Sequence, residues 1–431
     1  MTAGPRPAAR ALLAGGAALA VAQTVASAGN YVLNLFLGRW MDPPAFADAS
    51  IMVTLMLLAS AGTLGIQLVT ARAVALSGED APVRRLGRIA VGAGIALGAV
   101  LVIGAPVWHR LLHTESTSPF VLLALGFPAY LAAAVGRGRL QGMLRFGPLA
   151  ASYVVEMLVR VLLSLGLVAA GFGVPGATIG LSVSFVATWA AVLVSGGRPP
   201  ARDAVLPGGN AELRRYGAQT GVLLAGQIVA NNADVLIAKY ALSSDLAARY
   251  AAVALVGRAV FFLTWSVTVT VFPMAARQHA EGEQDGRLLR VAGAAVLSLG
   301  LACTVAAALA GGPVLAVVLG PHYGGLSLPL AGYALATTML SIANLVASHH
   351  LAIGQVRQAW IVLAGAVTQT VVLGVRHSSI TEFVVVQIVC MSALVAVVEI
   401  DRRRPLPLSG RPPTAVPLSP LSPPHSPKEP S

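Results

Sequence analysis

Two sets of polar side chains recur at helical spacing inside apolar stretches of this sequence. In the later set the intervals are seven, four and three residues, which places its members on one face of a helix. This set consists of Thr220, Gln227, Asn231 and Asp234. A carboxylate within an apolar span is costly, so Asp234 is expected to face protein or water and to have a function. The alternative is a stripe that only packs one helix against another.

The earlier set lies in the first apolar stretch, with intervals of four, three and four residues. It consists of Gln23, Ser27, Asn30 and Asn34. An offset of 200 residues aligns Ser27 with Gln227 and Asn34 with Asp234. A second short sequence match, between residues 142–145 and 354–357, has an offset of 212 residues. Both sequence matches predict an internal repeat, with two homologous halves whose first helices turn polar faces toward a shared cleft.

Glu156, Arg160 and Arg258 also fall inside apolar spans. Glu156 and Arg160 are four residues apart with the acid first, which is the favourable order for an intrahelical ion pair. Either the pair is neutralised so that the helix can insert, or Arg160 lines a cavity and binds an anionic head group while Glu156 holds it. Arg258 is either another cavity charge or a partner of Asp234, and the sequence leaves both readings open.

The elements that must position these residues are membrane helices. Of 431 residues, 56% are hydrophobic and only 11% are charged, which excludes an ordinary soluble domain. The chain divides into about twelve apolar spans, each near the ~20 residues that cross a bilayer core. We therefore predict an all-α polytopic membrane protein with two homologous six-helix lobes around a central cavity. Its predicted segments are a cytoplasmic N-terminus (1–10), the first lobe (11–196), a cytoplasmic linker (197–216), the second lobe (217–400) and a disordered Pro-rich cytoplasmic tail (401–431).

The chain has a net charge of +12, and the positions of its basic residues match the topology of a membrane protein. With the N-terminus in the cytoplasm, 22 of the 29 Lys and Arg residues fall in segments predicted to be cytoplasmic, five fall outside and two lie within spans. This is the positive-inside bias of a multi-pass membrane protein, so no nucleic-acid partner is predicted.

Sequence motifs for common catalytic sites are missing. Lys239 follows Ala238 and Lys428 follows Pro427, so no phosphate-binding loop with its Gly-Lys pair is present. The sequence also lacks His-Glu-x-x-His, Cys-x-x-Cys and Gly-x-Ser-x-Gly. We predict that the protein is not an enzyme, that it has no catalytic or metal-binding residues, and that it needs no cofactor.

Four segments carry a resemblance to a known superfamily. They are Leu33–Ala49, Leu140–Phe146, Ala230–Tyr250 and Leu319–Tyr323. With the two-times-six layout, the chain resembles the multidrug/oligosaccharidyl-lipid/polysaccharide exporter superfamily over about residues 10–400, and in particular its polysaccharide-transporter flippases. The resemblance implies two lobes that alternate between inward-open and outward-open forms and a polyprenyl-diphosphate-linked glycan as cargo. Drug-exporting relatives often use acids in the first lobe. This sequence has Asn30 and Asn34 in its first span and no acid there, which counts against that branch.

The resemblance and the residues together predict a flippase. It would move a lipid-linked oligosaccharide or polysaccharide precursor to the outer face of the cytoplasmic membrane, with membrane lipid and glycan-assembly enzymes as further candidate partners. The substrate-binding candidates are Asn30, Asn34, Arg160, Gln227, Asn231 and Arg258, and the candidates for ion coupling or substrate binding are Asp234 and Glu156. Two alternatives stay open: a cation-coupled exporter of amphiphilic small molecules, and a membrane scaffold of a glycan-assembly complex.

The charge distribution generates a prediction about topology. Reporter fusions placed after Arg198 and after Arg404 should both report a cytoplasmic location, because each lies in a segment rich in positive charge. An external signal from either fusion would contradict the twelve-span arrangement.

Overall fold

The structure is a computed structural model and describes residues 7–77, 81–195, 210–280, 286–376 and 378–403. Over these ranges the chain forms thirteen α-helices and one short 3-10 helix, with no strand. The predicted all-α class is confirmed. Most of the predicted linker and nearly all of the predicted tail lie outside the described residues, so the boundaries of these segments stay predictions.

The helices fall into two lobes that repeat one order. The first lobe contains α1 (Pro7–Trp40), α2 (Pro43–Ser77), α3 (Ala81–Leu111), α4 (Ser118–Gly142), α5 (Phe146–Ala169) and α6 (Gly173–Val194). The second lobe contains α7 (Asn210–Ala241), α8 (Ser244–Gly257), α9 (Ala259–Ala280), α10 (Arg287–Leu319), the 3-10 helix (Pro321–Tyr323), α11 (Ser327–Ala352), α12 (Arg357–Val375) and α13 (Ile380–Arg402).

The apolar length of these segments explains why they are helical. In hydrocarbon every backbone N–H and C=O must find a partner within the protein, and a helix satisfies them all within one segment. Eleven of the described helical segments are long and apolar enough to cross a membrane, with α8 and the first part of α9 forming one of them. Together with α1, they correspond to the twelve predicted spans.

The eighth of the predicted spans, at about residues 246–276, is one apolar segment but contains two helices. The chain leaves regular helix at Arg258, between α8 and α9. The turn is tight, because the N–H of Phe261 bonds the carbonyl of Arg258 at 3.0 Å. Hydropathy alone could not show this interruption, since the flanking residues are apolar on both sides.

The two lobes meet around a core that both supply. Leu33 and Phe46 from the first lobe pack in one buried cluster with Val235, Leu242 and Tyr250 from the second. At the lobe boundary α2 lies against α7 and α8. The shared core lies near the α1–α2 and α7–α8 turns, at the end of the bundle that the charge pattern predicts to be outside.

Candidate functional site

The first charge cluster places Glu156 between two arginines. Glu156 and Arg160 lie one turn apart on α5 and form a hydrogen-bonded ion pair. Arg137 on α4 reaches the other carboxylate oxygen, with an Nη2–Oε2 distance of 2.6 Å. All three residues are buried. Because arginine stays protonated in proteins, two positive groups share one carboxylate and the cluster keeps a net positive charge.

Polar groups from other helices hold this cluster in place. Arg160 donates to Oδ1 of Asn30 on α1 at 2.9 Å and to the hydroxyl of Ser184 on α6 at 3.3 Å. Arg137 donates to both the hydroxyl and the carbonyl of Ser152 on α5, each at 3.0 Å. The cluster therefore ties together α1, α4, α5 and α6.

The position of Arg137 corrects the sequence analysis. Arg137 is one of the 22 basic residues that the charge count assigns to cytoplasmic segments, whereas it lies inside α4 and is buried. The flanking residues Gly136 and Gly138 were the available signal. A Cβ at Gly138 would lie 2.4 Å from the carbonyl oxygen of Gln67, so α4 and α2 are in close backbone contact at this level. Small residues around a charge in a helix indicate packed protein rather than a solvated end.

The second cluster surrounds Asp234 on α7. One carboxylate oxygen accepts a hydrogen bond from Arg258 at 2.9 Å. The other accepts from the hydroxyls of Tyr250 at 2.8 Å and Tyr333 at 2.9 Å, and from the amide of Gln387 at 3.1 Å. The Asp234 side chain is fully buried. The sequence left Arg258 as either a cavity charge or a partner of Asp234, and in the structure it forms the ion pair with Asp234.

The remaining predicted residues make mostly local contacts. Gln227 donates to the side chain of Asn344 on α11, and both are buried. Asn34 and Asn231 are partly buried. Each donates to the carbonyl one turn earlier on its own helix, at 2.8 Å and 3.0 Å respectively. Neither amide belongs to the two charge clusters.

That both polar stripes face one shared cleft stays a prediction, because the contacts of Asn30 and Asp234 lie within their own lobes. Asn30 is bound by Arg160 of the first lobe, whereas Asp234 is bound by residues of the second. Buried polar groups must find hydrogen-bond partners, and each lobe supplies these partners from its own helices. The predicted charged residues therefore divide into two clusters, with Glu156 and Arg160 in the first lobe and Asp234 and Arg258 in the second.

Another buried ion pair joins the lobes and was not predicted. The ammonium group of Lys239 on α7 lies 2.7 Å from a carboxylate oxygen of Asp48 on α2, and both side chains are almost completely buried. The other oxygen of Asp48 accepts the backbone N–H of Glu115, between α3 and α4, at 2.9 Å. Lys239 also donates to the hydroxyl of Ser244 at 3.3 Å. This pair lies beside the shared core, at the same end of the bundle.

The sequence of the chain matches one known family over most of its length. The model of the family described as "Polysaccharide biosynthesis protein" matches residues 12–279, which run from α1 to α9. No curated protein matches the sequence.

Solved structures of similar fold are transporters of one superfamily. An inward-facing multidrug resistance MATE family transporter of the MOP superfamily has a TM-score of 0.68 at 12% identity, covering 87% of this chain and 94% of that one. The lipid II flippase MurJ in an inward closed conformation has 0.66 at 11% identity, covering 89% and 88%. An outward-facing MATE family transporter has 0.59 at 15% identity, covering 91% and 94%. At sequence identities this low, the structural likeness shows a common fold and no more than that.

Removing Glu156 should destabilise the protein more than removing either arginine. Glu156→Gln leaves two buried guanidinium groups without a counter-charge, and losing one partner of a buried pair costs about 3–5 kcal/mol. Arg137→Met and Arg160→Met each leave a neutral pair behind. We expect Glu156→Gln to lower the Tm most, measured as the loss of monodisperse protein in size-exclusion chromatography after heating in detergent.

The matched control is Glu399→Gln, which removes a partly exposed partner of Arg402 and should cost no more than about 1 kcal/mol. Equal Tm values for Glu156→Gln and Glu399→Gln would contradict the assigned role of the cluster.

Proposed function

Because this chain belongs to the polysaccharide biosynthesis protein family, we propose that it moves a lipid-linked oligosaccharide or polysaccharide precursor across the membrane by alternating access. The observation that carries the proposal is the excess positive charge of the Arg137–Glu156–Arg160 cluster. A diphosphate sugar head group loses its water when it enters hydrocarbon, and that loss is very costly for charged groups. A buried cation with a hydrogen-bonding surround replaces part of this hydration.

The proposal assigns different tasks to the members of the first cluster. Arg160 binds a phosphate oxygen of the cargo, since its guanidinium fork matches phosphate geometry. Glu156 and Arg137 hold Arg160 and set the net charge at one positive unit. Asn30 already bonds Arg160 and lies on α1 one turn before Asn34, and the proposal assigns both amides to sugar hydroxyls.

Asp234 in the second cluster is poorly suited to ion coupling. Both of its oxygens are occupied, and one of them by Arg258. A coupling cation would first have to displace this guanidinium group. We therefore propose that Asp234 and Arg258 hold α7 against α8 and α11, with Gln227 and Asn231 as the residues of α7 that meet the cargo.

Alternating access requires that the lobes close one end of the bundle and can separate there. The Asp48–Lys239 pair supports such a closed end. It joins α2 to α7 across the lobe boundary and is sealed from solvent. The fold also superposes better on the inward-facing multidrug transporter than on the outward-facing one. Both observations support a form that is closed at the end predicted to be outside.

The second candidate is a cation-coupled exporter of amphiphilic small molecules, favoured by the fold shared with MATE family transporters. Such coupling through a carboxylate needs an acid that is available to the ion. Among the described residues the buried acids are Asp48, Glu156 and Asp234. Each is paired with a basic side chain, which favours an anionic cargo over this alternative.

The cargo assignment is tested in proteoliposomes that contain a fluorescent polyprenyl-diphosphate sugar. The wild-type protein should expose the labelled head group to an external quencher, whereas Arg160→Met should reduce the rate at least tenfold while leaving a neutral, folded cluster. The control is Arg290→Met on α10, an exposed arginine that should have no effect. Cation-driven efflux of small drugs without movement of the labelled lipid would favour the exporter instead. A chain that moves neither cargo would favour the scaffold.

Breaking the inter-lobe pair should favour the outward-open form. Asp48→Asn leaves Lys239 buried without a counter-charge, a cost of about 3 kcal/mol that shifts a two-state equilibrium by about two orders of magnitude. The readout is a cysteine at the buried interface residue Ala238, in a chain with Cys303 and Cys390 replaced by alanine. A membrane-impermeant thiol reagent added outside cells should label it much faster in the Asp48→Asn variant.

The asparagine keeps an acceptor for the backbone N–H of Glu115, so only the charge is lost. The exchange variant, Asp48→Lys with Lys239→Asp, restores opposite charges and should slow the labelling again. Equal labelling rates in all three proteins would exclude a gating role for this pair.

A further inference from the structure

The first lobe has a groove that the proposed transport path does not use. A cavity of about 920 Å³ lies between α3, α4 and α6, and we call it the α3–α4–α6 groove. Its charged lining residues are Arg84, Arg88 and Arg139, and the rest of its lining is apolar or glycine. All of its lining residues belong to the first lobe, whereas cargo that passes between the lobes must contact both.

The groove opens on the lipid-facing side of the lobe. Ile89 and Ile95 on α3 and Leu193 on α6 are each more than half exposed. Large apolar side chains in this position are solvated by acyl chains in a membrane protein. The apolar part of the groove is therefore in direct reach of bilayer lipid.

The arginines are concentrated at one end of the groove. Arg84 and Arg88 lie in the first two turns of α3, and Arg139 lies in the last turn of α4. Arg139 already interacts within the protein, so the argument depends on the other two, which are exposed. The groove has a basic mouth at the level of the helix ends and an apolar interior, which is the shape and polarity of a phospholipid.

The helix dipole strengthens this positive mouth. The N-terminal end of a helix carries a partial positive charge that favours acids and disfavours bases. The first turn of α3 has no acidic residue, and arginines follow directly. An anion at Arg84, in that first turn, would offset the unfavourable contact between this side chain and the positive helix end.

Two glycines leave room for the chains of a lipid. A Cβ built on Gly87 or Gly92 would meet no atom within 4 Å, although both residues line the groove. Glycine in a helix interior is about 1 kcal/mol less favourable than alanine, so these positions hold open space at some cost to the helix.

We propose that the α3–α4–α6 groove binds an anionic phospholipid of the adjacent leaflet, with its phosphate at Arg84 and Arg88 and an acyl chain along Gly87 and Gly92. Basic pockets between membrane helices recognise anionic head groups in this way. The occupant is a bilayer lipid that attaches the first lobe to its leaflet. The proposal does not depend on the cargo, because it concerns a different face of the lobe.

Trp189 lines the groove and provides the readout. The test uses a chain in which the other four tryptophans (Trp40, Trp108, Trp265 and Trp360) are replaced by phenylalanine, reconstituted in vesicles with brominated phosphatidylglycerol or brominated phosphatidylcholine at equal mole fraction. Bromine quenches tryptophan fluorescence only at short range. We expect several-fold stronger quenching of Trp189 by the anionic lipid.

Two variants separate the head-group and chain contacts. The double variant Arg84→Gln/Arg88→Gln should abolish the preference for the anionic lipid while quenching by the neutral lipid persists. Gly92→Leu should fill the groove and reduce quenching by both lipids. The matched control is Gly166→Leu on α5, where a Cβ also meets no atom within 4 Å, and it should change neither signal.

Equal quenching by the two lipids, or a preference that survives the double arginine variant, would overturn the proposal. A polyprenyl diphosphate that displaces the brominated phosphatidylglycerol at lower mole fraction would also overturn it, because the groove would then belong to the cargo. These results are independent of whether the labelled glycolipid is transported.

Discussion

A charge removed from water must be paired inside the protein, and this constraint organises both lobes and their junction. A single buried ion is very costly, and a pair is tolerable only with good geometry and additional hydrogen bonds. Each buried acid of the described chain meets the requirement with basic partners: Asp48 with Lys239, Asp234 with Arg258, and Glu156 with two arginines. The helices that contribute these side chains cannot be displaced separately without exposing an unpaired charge to an apolar interior.

The two lobes use this constraint differently, although they repeat one helix order. In the second lobe, Asp234 meets one arginine and three neutral donors, so the cluster is neutral and both carboxylate oxygens are paired. In the first lobe, Glu156 is shared by two arginines and the cluster is positive. A neutral cluster is suited to holding helices together, whereas an excess positive charge has capacity left for an anion. This asymmetry supports the phosphate contact that we propose in the first lobe.

The junction between the lobes combines strong packing with one polar contact. The shared apolar core around Leu33, Phe46 and Tyr250 favours the closed arrangement in proportion to the area it buries. The ion pair between Asp48 and Lys239 adds a second condition, because its two charges must either stay sealed from water together or become hydrated together. An element of this kind is expected to have two discrete states, as the proposed gate between the two membrane faces requires.

The sequence by itself determined the fold class, since apolar length decides where a chain crosses hydrocarbon and helical structure follows from backbone hydrogen bonding. It also determined the Glu156–Arg160 pair, whose partners are one helical turn apart. Only the tertiary structure decided that Arg137 joins this pair, that Asp234 takes Arg258 and two tyrosines, and that Asp48 meets Lys239 across the lobe boundary. The physical reason is that periodicity reports which residues share one helix face. Partners on different helices are brought together by packing, and no local spacing encodes them.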